Sequence, residues 1–459
     1  VIFSNGVPSS QKMEAVKHMG EAPVGKLLVR YSLPAIAGFL ANALYQFADR
    51  VIVGRGVGTD GIAAVTAAYP LTIVGMAVGL LIGAGTGNRI SVLLGKGDRE
   101  GAERVLGQGL RLGVLGSLLL ALVTWIFPGP LLIACGCEPR LLPMAIPFIR
   151  ILAIGQIFLI SLISMGNILR VQGRPGTGLA VMLFGNVLNV VLATVAVFVL
   201  GWGVPGTAIA TSLSQAIACV AVLMLVQGRS SPFHIRRVFL KKDRTLGRSI
   251  LSLGAPFGIM QVLGTFVFLA ANHGAGGQGG TCGVAALGVL NTVAILLIYP
   301  SLGVMQAMQP LVGFNKGAGQ AARVRELLVK VLLATFLMSL TLSLLVAIFS
   351  APIAALFSKD DSQLIALVER GLPWFVGPIV FFSIEGTMAH YFLSVHEPRK
   401  ASVLLLGRQI LAIPLFLILP RLLGFFGIYL VSTFAALPFV IAGAMYMRRE
   451  LEHLRLQKE

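Results

Sequence analysis

The chain of 459 residues is 56% hydrophobic and only 12% charged, with a mean hydropathy of +0.88. Water-soluble domains carry about 25% charged residues, so a surface wetted on all sides is excluded. The net charge of +18 raises nucleic acid as a partner, but the basic residues sit in short loops between apolar runs. That is the pattern that orients membrane proteins, and no nucleic acid is expected.

The apolar runs are about 20 residues long, enough for each to cross about 30 Å of hydrocarbon as a helix. They do not alternate apolar and polar residues as the strands of a membrane β-barrel do. The fold class is therefore an all-α polytopic membrane protein, with the lipid bilayer as its solvent. Residues 1–25 are polar and read as a solvated tail without a cleavable signal. Gly, Pro and charge punctuation then predicts twelve spans. The first six are Lys26–Val53, Asp60–Gly87, Ala102–Phe127, Leu141–Leu169, Gly176–Leu200 and Val204–Gln227. A basic linker, 229–247, follows. The second six are Arg248–Asn272, Val284–Phe314, Glu326–Ser350, Leu364–Ser394, Lys400–Pro420 and Phe425–Met447. The two lobes are thus 26–228 and 248–449, with a tail at 450–459.

Orientation follows from Lys and Arg. One side collects Lys12, Lys17, Lys26, Arg30, Lys96, Arg99, Arg104, Arg111, Arg170 and Arg174. It also takes the linker (Arg229, Arg236, Arg237, Lys241, Lys242, Arg244, Arg248), Lys316, Arg323, Arg325, Lys330, Arg399, Lys400, Arg408 and the basic carboxy terminus, which includes Lys458. The other side has Arg55, Arg140, Arg150, Lys359, Arg370 and Arg421. This bias predicts a plasma-membrane (inner-membrane) protein with both termini in the cytoplasm.

The two halves repeat. "LPAIAGFLANALYQFAD" from Leu33 corresponds to "APFGIMQVLGTFVFLAAN" from Ala255, and "GIAAVTAAYP" at Gly61 to "GVAALGVLNT" at Gly283. "LLGKGDREGAERVL" at Leu93 corresponds to "GFNKGAGQAARVREL" at Gly313. Six spans per copy make the repeat parallel, the geometry of secondary transporters that rock two lobes about a central cavity. A monomer is expected, since both lobes lie in one chain.

No G-x-x-x-x-G-K-[ST] run is present, so no P-loop holds a nucleotide, and neither a cofactor nor an enzymatic activity is expected. Gly75, Gly79, Gly83 and Gly87 recur every four residues and read as a stripe for close helix approach. Cys135, Cys137, Cys219 and Cys282 are too few for a disulfide scaffold and read as ordinary thiols.

Of the eighteen acidic residues, Asp49 and Glu385 alone lie well inside predicted spans. A carboxylate in hydrocarbon costs at least about 2.5–3.5 kcal/mol and marks an ion pathway, a relay or a site. The structural alternatives are pairing of Asp49 with Arg50 and of Glu385 with His390. Amides and hydroxyls share these spans: Asn42, Gln46, Asn186, Asn189, Thr211, Gln261, Asn272, Asn291, Gln306 and Gln309. Buried amides also serve as helix-to-helix glue. Met165, Phe184, Met260, Phe266, Phe268 and Met305 fit either an adaptable apolar cavity or core and lipid contact.

Several motifs in order resemble the multidrug and toxic compound extrusion (MATE) transporters over essentially the whole chain, and within them the bacterial and archaeal multidrug efflux branch. "YQFADRVIVGRGVGTDGIAAV" resembles the family's D-x-x-x-V-G-x-x-G…L-A-A-V, and "SVLLGKGDREGA" its S-x-x-L-G-x-G-D. "GWGVPGTAIATSLSQ" resembles G-x-G-x-x-G-A-A-I-A-T, and "QAMQPLVGFNKGAG" Q-x-x-x-P-x-x-G-Y-N-x-G-A. The resemblance implies antiport of organic cations, drugs and other toxic small molecules by alternating access, coupled to protons or sodium. It assigns cation coupling to Asp49, Asn189 and Thr211, the residues that would also hold a sodium ion, and Asn186 adjoins them. Where sodium-binding members have Asp, this chain has Ala193, which favours protons. The seventh-span Glu of some members is also missing, with Gly264 near its place, and Glu385 lies about one turn from their tenth-span acidic position. Substrate contacts are expected from Glu385, Gln46, Asn42, Gln261, Asn272, Asn291, Met260 and Gln306. The alternatives are a flippase for lipid-linked precursors, for which intramembrane arginines other than Arg50 and Arg89 are lacking, and a non-transporting scaffold.

Overall fold

The computed structural model describes residues 18–57, 59–135, 137–228, 231, 239, 242–357 and 362–456. Lys12, Lys17, Arg229, Arg236, Arg237, Lys241, Lys359 and Lys458 of the charge pattern lie outside them. So do residues 1–17 of the predicted tail and most of the linker.

The elements are helices α1 (Val24–Gly56), α2 (Thr59–Gly95), α3 (Arg99–Ile126), α4 (Pro128–Ala134), α5 (Leu142–Val171), α6 (Pro175–Thr194) and α7 (Gly203–Gln227). There follow α8 (Arg244–Gly317), α9 (Ala321–Ile348), α10 (Ser350–Phe357), α11 (Ser362–Val376), α12 (Ile379–Ser394), α13 (Pro398–Leu423) and α14 (Phe426–Leu456). A π-helical turn at Val195–Val199 extends α6. α11 and α12 form one span interrupted at Gly377 and Pro378, where proline removes a backbone donor.

Among the described residues eleven stretches are long and apolar enough to cross a membrane, and one of them is the 74-residue α8. At 1.5 Å per residue a straight helix of that length would reach about 110 Å, several bilayers. It is broken at Gly280, whose φ of 57° and ψ of −143° suit a residue without a side chain. α8 is therefore two spans, and the total is twelve. The sequence predicted a loop over 273–283; instead the chain stays helical up to that glycine. Small residues let neighbours close in there: Gly274 lies against the Phe416 carbonyl, and Gly279 and Gly283 against the Phe425 ring.

The chain forms two compact units, one of Ala37–Gln261 and one of Pro23–Ile36 with Val262–Glu459. The start of α8 thus belongs with the first unit. A Cβ at Gly254 would overlap the Leu81 carbonyl, and one at Gly85 the Ile250 carbonyl, so α2 and α8 touch backbone to backbone. On another side α2 meets α5 through its glycine stripe: Gly75 faces Gln156, Gly79 faces Ile163, Gly83 faces Ser164 and Gly87 faces Val171. Ser164 donates to the Gly79 carbonyl at 3.3 Å and Gln156 to that of Leu71 at 3.1 Å.

The repeat extends to backbone conformation. Left-handed residues stand at Gly97 and Gly319, at Gly173 and His396, and at Gly201 and Gly424. Each later residue falls about 220 positions after its counterpart, the offset of the sequence repeat. His396 (φ 64°) is the one non-glycine residue with positive φ among those described.

Candidate ion and substrate sites

In the first unit α1 and α6 run parallel: Gly38 faces Met182, and Gly56 faces Val197. Between these contacts Ile52, Ala193, Val197 and Ala210 form a buried cluster. Asp49 is nearly one turn from Ile52, Asn189 one turn from Ala193, and Thr211 follows Ala210. The three helices thus bring the polar residues to one level.

Asn189 is buried and donates its amide N–H groups to the Thr211 hydroxyl at 3.0 Å and the Ser214 hydroxyl at 3.3 Å. Ser214 in turn donates to the Thr211 carbonyl at 2.9 Å. The Tyr45 hydroxyl faces both the Thr211 side chain and the Asp49 carboxylate. Three buried atoms here lack a hydrogen-bond partner among the described residues: Asp49 Oδ1, Asn189 Oδ1 and Asn186 Nδ2. An unmet buried polar group costs about 1–3 kcal/mol, so two acceptor oxygens held this way suit an exchangeable proton or cation. Arg50 is exposed, and among the described residues it forms no ion pair with Asp49. Tyr45 and Ser214 were not singled out in the sequence, although Tyr45 precedes Asp49 by one helical turn and Ser214 follows Thr211 by three residues.

On the same helix Gln46 donates to Asn42 at 2.6 Å, so these two amides satisfy each other in part. Met260 and Gln261 end the first unit, half-buried on α8.

The second unit is built around α12, which is buried on nearly every side. Ser383 donates to Ser301 at 3.0 Å, Thr387 shares a hydrogen bond with Thr335 at 3.0 Å, and Tyr391 donates to Glu450 at 2.8 Å. Glu385 faces α13, where Arg408 Nε lies 3.3 Å from its Oε2; the side chains are 1% and 20% exposed. The approach is an ion pair without hydrogen-bond geometry, and among the described residues neither atom has another partner. The Arg408 guanidinium also stacks 4.8 Å from the centre of the Phe382 ring.

One expectation changes here. His390 Nδ1 lies 2.7 Å from the Gly386 carbonyl, while the Glu385 carboxylate faces Arg408. Arg408, counted among the loop charges, lies well inside α13. Asn272, Asn291 and Gln306 are half-buried, and among the described residues no hydrogen bond links them to Glu385. Met165 and Met305 are fully buried core, so they line no cavity, whereas Phe184, Phe266 and Phe268 are exposed. Outside the spans, burial pushes the Cys135 and Cys137 thiols up, and burial lowers Arg174.

The MatE family profile matches residues 34–195 and 256–418. The FAD transporter of Shewanella oneidensis is 25% identical over 408 residues, covering 85% of this chain and 86% of that one. The multidrug export protein MepA of Staphylococcus aureus is 22% identical over 432 residues, covering 91% and 92%. An outward-facing multidrug resistance MATE transporter of the MOP superfamily superposes with a TM-score of 0.88 at 23% identity, covering 98% of this chain and 99% of that one. With the profile spanning most of both halves, this chain belongs to the MatE family of membrane transporters.

Proposed function

We propose that the chain is an antiporter that exports organic cations, drugs and related small molecules from the cytoplasm by alternating access, driven by protons moving inward. Both termini would lie in the cytoplasm, on the Lys- and Arg-rich side. The observation that carries the reading is Asp49, a carboxylate within a membrane span whose Oδ1 is buried with no hydrogen-bond partner among the described residues. Such a group can hold a proton while the site is closed to water and release it when the site opens. Tyr45, Thr211 and Asn189 extend this polar centre across three helices. Ala193 supplies no ligand, which favours a proton over sodium. Transport in proteoliposomes under a pH gradient or a sodium gradient, each imposed alone, tests this. A pH gradient is expected to suffice, and a strict sodium requirement at every pH would overturn it.

A second reading, export of an anionic compound, is favoured by Arg408, a half-buried cation inside the second unit. The Shewanella relative is named for FAD, a phosphate-bearing molecule. Competition between FAD and a cationic dye for the purified protein separates the two readings.

A further inference from the structure

In the second unit a groove of about 510 Å³ runs between α9, α12 and α14. Arg325 lies in the second turn of α9, and Arg448 and Arg455 in the last turns of α14. The contact of Tyr391 with Glu450 sets the end of α12 beside the same stretch of α14. Three guanidinium groups therefore gather at one membrane surface. Leu332, Ile384 and Met388 line the groove further into the span. Met388 and Met447 form its buried floor.

Charge and polarity identify the occupant. Arg448 is paired with Glu452 at 3.4 Å, so Arg325 and Arg455 leave the mouth with a net positive charge. The helix faces beside the groove carry exposed Val329 and Leu333 on α9 and Ile441 and Met445 on α14. In a membrane protein such a face meets hydrocarbon, because water would leave it unsolvated. A volume of this order is ample for a small-molecule ligand, and its two ends differ in polarity. A soluble phosphate would use only the mouth. An anionic phospholipid uses both ends, its phosphodiester at the arginines and an acyl chain over the leucine, isoleucine and methionines.

We infer that this groove is a binding site for one anionic phospholipid from the leaflet at that surface. The lipid would rest against Ile384 and Met388, neighbours of Glu385 on α12, whereas Glu385 itself turns to Arg408 on α13 and does not line the groove. The site is separate from the ion and substrate sites described above.

The test is native mass spectrometry of the full chain in detergent, titrated with dioleoyl phosphatidylglycerol or dioleoyl phosphatidylcholine. Wild type is expected to hold its first phosphatidylglycerol about tenfold more tightly than phosphatidylcholine, the scale of a few surface arginines. Arg325→Gln combined with Arg455→Gln should level the two lipids, while Arg449→Gln, exposed on the same helix outside the groove, should preserve the preference. Ala444→Phe, which fills the groove from its wall and leaves every charge in place, should displace the first lipid of either kind. The inference is overturned by a lipid preference that survives the double substitution, by binding that ignores Ala444→Phe, or by displacement of the lipid by glycerol phosphate alone.

Discussion

Arg408 Nε stands 3.3 Å from Glu385 Oε2, so the one carboxylate buried within the second unit's spans, among the described residues, already has a counter-charge of its own. A monovalent organic cation bound nearby would compete with that guanidinium for the carboxylate. At an effective dielectric of about 20, one charge at 4 Å is worth roughly 4 kcal/mol before desolvation. Glu385→Gln leaves Arg408 uncompensated and is expected to weaken binding of cationic compounds by about tenfold or more, with neutral ones nearly unaffected. Arg408→Gln should shift the same ratio the opposite way. Direct binding of one cationic dye and one neutral drug of similar size to each purified variant checks this. Equal losses for both compounds would mean that the pair is structural.

Asp49→Asn keeps the size and hydrogen-bonding shape of the side chain and removes the titratable charge. Export is expected to stop while the protein inserts and folds as before. Dye efflux from cells expressing the variant at matched membrane levels reads the first outcome. A melting temperature close to that of wild type reads the second. Efflux at the wild-type rate would remove Asp49 from the coupling path.

Ala193 is buried beside Ile52, Val197 and Ala210, one turn from Asn189. The wild-type melting temperature is expected to be insensitive to exchange of sodium for choline. Ala193→Asp supplies an extra carboxylate at this level and should make stability depend on sodium. Saturation at a hundred times the dissociation constant stabilises by about 2.7 kcal/mol. Sodium-dependent melting of the wild type would show that the site already holds that ion.

His396 holds a left-handed backbone where the first repeat has Gly173. An L side chain pays roughly 1–2 kcal/mol in that conformation. His396→Gly is therefore expected to stabilise the protein by up to about 1 kcal/mol, since glycine gives back part of the gain as entropy in the unfolded chain. A denaturation series in detergent measures it, and a loss of stability would mean that the imidazole's own contacts outweigh the strain.

The spans and the repeat were legible in the sequence because each depends on properties that add along the chain: apolar length, charge bias and motif offset. The glycine stripe of α2 was legible for the same reason, being periodic. Arg408 was not, because a cation two to three turns inside a helix has the same sequence surroundings as one at its mouth; what separates them is whether Glu385 on another helix faces it. The role of Met305 was hidden likewise. Only packing shows its sulfur against Gly386 in the core. The glycine-rich run before Gly283 read as a loop by composition, yet close approach by Phe416 and Phe425 holds it in helices. In the first unit Asp49, Asn189 and Thr211 came from motif positions, whereas Tyr45 and Ser214 needed the three-helix arrangement to gain a role.

From Arg248 to Lys316 the chain carries no charged residue between the two, and Gly280 alone interrupts its helix. The seventh and eighth spans consequently have no charged loop to drag across the bilayer during synthesis. A single ionised residue at a helix centre would cost about 2.5–3.5 kcal/mol on insertion, and here there is none to oppose entry as one hairpin. Nothing inside the hairpin can set its direction either. That information is confined to its two feet, Arg244 and Arg248 at one end and Lys316 at the other.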